Sequence, residues 1–191
     1  MLSPPSPSRV PDLALAARAL DEFLHALGQD AVANPELVGT GQRVAEAFAG
    51  EFLAGHGVDL TALVTPHLLA APPSSSRARV LLRDLPLTTM CPHHLLPAEG
   101  TADVAYEPGP FLVGLGAIAV LVETAARRLV LQETLGADVV SVLAAALAPR
   151  WVVVRIRLAH ACMRVRGERA HGSRVDTVSS HGPVPDAVFA A

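Results

Sequence analysis

Two short runs concentrate the chemistry-bearing side chains of this chain. Cys91-Pro92-His93-His94 sets a thiol and an imidazole three positions apart, and His160-Ala161-Cys162 sets an imidazole and a thiol two apart. A thiolate and an imidazole three apart can converge on one ion where the backbone turns, and Pro92, which cannot extend a β ladder, favours that turn. Residues two apart on a strand project from one face, so an extended 160–162 segment presents His160 and Cys162 together. Four protein ligands close a structural zinc site, whereas three leave a position for water and make a hydrolytic one. Spacing alone leaves another reading open, with both cysteines as small buried hydrophobes and His160 as a satisfied core histidine.

The elements that must position these residues follow from apolar periodicity. Residues 1–10 read as a flexible arm. Apolar positions at helical spacing predict a helix over 11–27, and a second over about 42–53 with Thr40 as its N-cap candidate; together 11–57 form an N-terminal helical region. PHLLAAPPSSS, at 66–76, is a loop by composition. Strands are expected at 78–85 and 101–106, helices at 115–129 and 132–147, a long strand at 151–166 and a shorter one at 174–180. The β-β-α-α-β-β order predicts an α+β domain over 58–180, with antiparallel strands and helices on one face. Residues 181–191 read as an irregular surface tail.

Composition narrows the function classes. The 191 residues are 51% hydrophobic and carry a formal net charge of −3, which excludes general disorder and argues against a nucleic-acid binder with a broad basic surface. The apolar run 111–122 is too short to span a bilayer, and the proline-rich start does not resemble a signal peptide, so a cytoplasmic protein is expected. Two cysteines in a reducing compartment point to a metal, catalysis or burial rather than a disulfide. A mean hydropathy of +0.39 suggests apolar surface left over for subunit contacts.

Several motifs in register resemble the GTP cyclohydrolase I family. They are Arg43-Val44-Ala45, Cys91-Pro92-His93-His94-Leu95-Leu96-Pro97, Val104-Ala105-Tyr106, Val113-Gly114-Leu115, Ala126-Arg127-Arg128, Gln132-Glu133, His160-Ala161-Cys162-Met163, Arg166-Gly167 and Gly172-Ser173. The resemblance implies a tunnelling fold, in which subunits join sheets edge to edge into rings and two pentamers stack into a homo-oligomeric decamer. It implies Cys91, His94 and Cys162 as ligands of Zn2+, and His93 and His160 as an acid–base pair. Gln132 and Glu133 resemble residues that read the purine edge, and Arg43 and Arg166 resemble members of the family's triphosphate clamp. A glutamate at the start of a helix is also favoured by the helix dipole, which is the plain alternative for Glu133. In the family, hydroxide adds to C8 of guanine, the imidazole opens, formate leaves and the ribose is rearranged to dihydroneopterin triphosphate.

The chain departs from the family pattern around the phosphates. Gly116-Ala117-Ile118-Ala119-Val120 stands where the family carries Ser-Lys and then Arg, Glu46 stands where a lysine is usual, and Pro92 replaces a glutamate. All 15 basic residues are arginine, a bias that would turn lysine into arginine and not into Ala117, Val120 or Glu46. A triphosphate wants several charge-assisted partners, which Arg43 and Arg166 alone do not supply. Arg169, His171 and Arg174 either rebuild part of that site or are solvated loop residues. The expectation is therefore a zinc cyclohydrolase opening the imidazole of a guanine-type purine, GTP or a less phosphorylated analogue. The alternatives are a related hydrolase of a non-phosphorylated purine or pterin, and a non-catalytic zinc- or pterin-binding ring protein.

Overall fold

Helix α1 (Leu13–Ala26) starts where the Asp12 carboxylate accepts the Leu15 N–H at 2.9 Å, an ordinary N-cap. It packs against α2 (Thr40–Ala47), and none of its residues is buried. Gly41 makes the approach possible, because a Cβ there would collide with the Ala17 carbonyl; its N–H donates to Asp21 at 3.1 Å instead. A π-helical turn, Phe48–Phe52, continues α2. The computed structural model describes residues 10–72, 78–186 and 188–189, so the expected arm at 1–10 falls, except for Val10, outside the described residues.

The main sheet joins β2 (Val80–Met90), β3 (Pro97–Glu107), β5 (Trp151–His160) and β6 (Val175–His181) in that order, every pairing antiparallel. A two-stranded ribbon joins β1 (Leu68–Ala70) to β4 (Phe111–Val113). The composition of 66–76 predicts a loop; β1 forms inside it because β4 offers a partner. Helices α3 (Leu115–Ala126) and α4 (Gln132–Leu147) lie on one face of the sheet.

Alternation on the strands sorts the two faces. Val152, Val154, Ile156 and Leu158 of β5 and Ala102, Val104 and Tyr106 of β3 point into the core shared with Ile118, Leu121, Leu135, Val139 and Leu143. The opposite face carries Arg155 and Arg157, with Ala105, Trp151 and Val153 at its other end. The chain after β6 is irregular but anchored there: Val188 is buried against Ala105, Trp151 and Val153. The architecture is the expected α+β one, an antiparallel sheet covered by helices on one face. Among the described residues no helix is long and apolar enough to cross a membrane.

One expected element is cut short. The strand predicted over 151–166 ends at His160, and Ala161–Arg164 forms a helical turn, α5. The physical reason is loss of partners. β6 pairs with β5 only as far as Leu158, and β3 ends its pairing at Ala98 opposite His160. Beyond that point an extended backbone would have unpaired N–H and C=O groups on both sides, so the chain coils and bonds to itself.

Candidate metal centre and active site

Cys91 leaves β2 at the start of the 91–96 loop that returns the chain to β3. The Leu95 N–H donates to the Cys91 carbonyl and the Cys91 N–H to the Leu96 carbonyl, both at 2.9 Å, while Leu95 sits at φ 51°. These bonds fold the loop back so that His94 faces the Cys91 thiol, with Sγ to Nδ1 at 4.0 Å. The stem of the loop is braced from behind. Thr89 donates its hydroxyl to the Ala126 carbonyl at the end of α3 at 2.8 Å, and Met90 bridges to Leu129. His56 accepts the Leu129 N–H at 3.2 Å, tying the N-terminal region to the same corner.

Cys162 arrives from α5 rather than from a strand face, so the alternation argument for pairing it with His160 does not apply. The helical turn nonetheless carries it to the loop. The ligand atoms of Cys91, His94 and Cys162 all lie within 4.8 Å of one another. Thiolate and imidazole ligands of one tetrahedral zinc stand about 3.6 Å apart, so the cluster needs only a small inward movement to hold the ion. The donor set also fits. Burial pushes the Cys162 thiol up, and Cys91 adds to this through charge and a hydrogen bond, while Arg166 pulls the other way. Two crowded thiols resist ionising together, and a dication between them removes that resistance.

His160, the last residue of β5, points to the helix side. Its Nε2 lies 2.8 Å from Oε1 of Gln132 in the first turn of α4. Burial pushes the His160 imidazole below its ordinary value, and the exposed Glu133 carboxylate opposes that shift. Gln132 is only 3% exposed, and its Nε2 lies 3.0 Å from the Ile156 carbonyl, 2.9 Å from the Val175 carbonyl and 3.1 Å from the Thr177 hydroxyl. All its polar atoms are thus engaged by β5, β6 and His160. Thr177 and the two carbonyls are contributors that periodicity had no means of revealing, since they act through backbone and register.

His93 is exposed beside His94, their rings 6.4 Å apart and nearly perpendicular. Arg166 lies close enough to act on Cys162 electrostatically. Arg43 is elsewhere engaged: its guanidinium donates to the Val38 carbonyl and to the Thr40 hydroxyl, each at 2.9 Å, closing the entry to its own helix. Gln42 donates to Glu46 at 2.9 Å on the same helix. At the start of α3, Ala117 is buried in the core and Val120 is exposed. Arg164 donates to the His171 carbonyl at 2.8 Å, which folds the 165–172 loop over α5.

The sequence profile of GTP cyclohydrolase I matches residues 16–187. The chain belongs to the GTP cyclohydrolase I family. A GTP cyclohydrolase 1 of Leifsonia xyli is 36% identical over 172 residues, covering 90% of this chain and 87% of the relative. One from Streptococcus thermophilus is 39% identical over 169 residues, with 86% of each covered. A solved structure, the archaeosine synthase QueF-Like in the apo form, is 22% identical with a TM-score of 0.43, spanning 60% of this chain and 99% of that one. The GTP cyclohydrolase I match spans both segments that form the Cys91, His94 and Cys162 cluster, the 91–96 loop and α5.

Proposed function

We propose that this chain is a zinc-dependent cyclohydrolase that opens the imidazole ring of a guanine-type purine. The observation that carries the reading is the convergence of Cys91, His94 and Cys162, from a loop and a helical turn far apart in sequence, beside His160. Three ligands, with no fourth in the cluster among the described residues, suit a hydrolytic centre better than a structural one. Zinc held there supplies Lewis acidity that brings the ionisation of water toward neutral pH.

The chain's own residues do the rest. His93 and His160 exchange protons with the ring nitrogens as two waters hydrolyse the two C8–N bonds in turn, the first opening the ring and the second releasing formate, a role suited to imidazole near neutrality. Glu133, exposed at the head of α4, accepts hydrogen bonds from the N1–H and 2-amino group of the base. Arg166 contributes a cation for whatever phosphate the substrate bears.

A less phosphorylated substrate is the second reading. It is favoured by Arg43, whose donors are taken by Val38 and Thr40, and by apolar Ala117 and Val120. The test is to incubate zinc-loaded protein with GTP, GMP, guanosine, guanine and 8-oxoguanine, following formate release and pterin fluorescence. Formate and fluorescence from GTP at ordinary rates support the first reading and remove the second. Loss of base or nucleoside without fluorescence supports a related purine hydrolase. No turnover of any of them with zinc bound refutes the enzyme and leaves a zinc-binding ring protein.

A further inference from the structure

The contacts of Gln132 restrict the chemistry of His160 more tightly than distance alone. The carbonyls of Ile156 and Val175 can only accept hydrogen bonds, and both lie within 3.0 Å of one end of the Gln132 amide. That end must be the NH2. A flipped amide would set its oxygen against two carbonyl oxygens in a place that is 3% exposed, where water does not relieve the repulsion. The amide oxygen therefore faces His160 at 2.8 Å, and an amide oxygen can only accept. His160 must donate from Nε2, whether its ring is neutral or charged.

We propose that Gln132 is a positioning residue that holds the proton on Nε2 of His160 and leaves Nδ1 as the atom through which this ring exchanges protons. The lock is built from register as well as from the side chain. Ile156 pairs with Thr177 and Leu158 with Val175, so the two accepting carbonyls sit on neighbouring strands at the level of the first turn of α4. Thr177 adds a third polar contact to the same NH2. Gln132 thereby joins β5, β6 and the ring in one hydrogen-bonded unit, and its amide is spoken for before any base arrives. Its role differs from that of a side chain that reads the purine edge.

The consequence for turnover rests on the proposed proton-transfer role of His160; the tautomer does not. Two measurements on zinc-loaded full-length protein keep them apart. In the 15N spectrum of histidine-labelled protein, the signals lost in His160→Asn identify the ring. Neutral His160 is expected to show a protonated, pyrrole-type Nε2 and an unprotonated, pyridine-type Nδ1. In Gln132→Met, which keeps the length of the side chain and removes its amide, that preference is expected to collapse toward a mixture. The opposite tautomer in the unsubstituted protein, or an unchanged one in a folded Gln132→Met, overturns the proposal. If Gln132→Met does not fold, the unsubstituted spectrum decides alone.

With whichever purine is turned over, Gln132→Met is expected to lower kcat about tenfold or more while KM stays within about twofold, the pattern of a group misplaced in the transition state. A raised KM at unchanged kcat overturns positioning in favour of a substrate contact. If no purine is turned over, the functional reading fails and the spectrum still judges the tautomer.

Discussion

The two thiols of the cluster are held by different kinds of backbone. Cys91 sits at the mouth of a loop whose two ends exchange hydrogen bonds, while Cys162 sits on a helical turn closed by the Val165 N–H donating to the Ala161 carbonyl at 2.9 Å. Neither support depends on the thiol itself, so either cysteine can be removed without unpicking its own backbone. Cys162→Ala and Cys91→Ala are each expected to leave the fold intact and to reduce bound zinc from one per subunit to near zero, measured by elemental analysis after dialysis. Full zinc retention in either variant refutes the ligand assignment. The remaining thiol and imidazole are too few to hold the ion against solvent.

At the scale of elements, the polar face of the sheet is pinned by one ion network around a bulge. The register of β2 on β3 shifts between Leu82 and Leu85, and Asp84 there takes φ 55°. The Asp103 carboxylate accepts the Asp84 N–H at 2.9 Å, and Arg157 on β5 donates to Asp103 at 3.1 Å, Asp84 at 3.0 Å and the Thr101 hydroxyl at 3.1 Å. Asp103 is buried whereas Arg157 is partly open to water, which moderates the penalty of separating them. Arg157→Met is expected to cost about 2 kcal/mol in chemical denaturation, and adding Asp103→Asn to restore part of it, since the amide oxygen still accepts the Asp84 N–H. A change below about 0.5 kcal/mol for Arg157→Met would show the network to be solvated decoration.

Legibility from sequence divides along the same line. The helices and β5 were readable because their apolar positions repeat at the period of the element, as with Val152, Val154, Ile156 and Leu158. The ends of the strands were not readable, because they depend on partners. β2 runs on to Met90 through Leu87 and Met90, both buried, and β5 stops at His160 for want of a neighbour. Cys91 and His94 were legible as a pair from spacing. That Cys162 joins them from a helical turn was not, since only the β3–β5 register brings the two segments together. The engagement of Gln132 by strand carbonyls has no sequence signature at all, for a backbone acceptor looks the same whatever side chain it carries.

For the molecule as a whole, the unpaired surfaces matter most. Among the described residues β2 and β6 are the two edges of the main sheet, and each leaves a row of backbone groups without strand partners there. Helix α1 exposes Leu13, Leu15 and Phe23. A cavity of about 1250 Å³ lies between α1, α2 and α4, and is lined by Leu20, Val44, Phe48, Leu129, Val130 and Val142 rather than by the cysteines. A ring in which β2 of one subunit meets β6 of the next would cover both edges, and contact through the N-terminal helices would cover the apolar surface. The purified protein is accordingly expected to run as a multiple of its 19.9 kDa mass in light scattering. A monodisperse monomer at micromolar concentration would refute assembly through these edges.

The order β2-β3-β5-β6 also sets when a zinc held by Cys91, His94 and Cys162 could be bound during folding. Cys91 and His94 lie in the loop of the β2–β3 hairpin, a local pairing that closes at Met90 and Pro97. Cys162 follows β5, whose pairing with β3 requires α3 and α4 to be threaded between them. Local pairings form early and this one late, because a long loop must close before its contacts reward it. A nascent chain would thus hold only the Cys91–His94 half of the cluster, and the arrival of Cys162 would mark completion of the central β3–β5 register. A slip of one residue in that register would turn His160 to the opposite face. Uptake of the proposed zinc would in this sense be a proofreading step, tight only for chains whose middle strands have paired correctly.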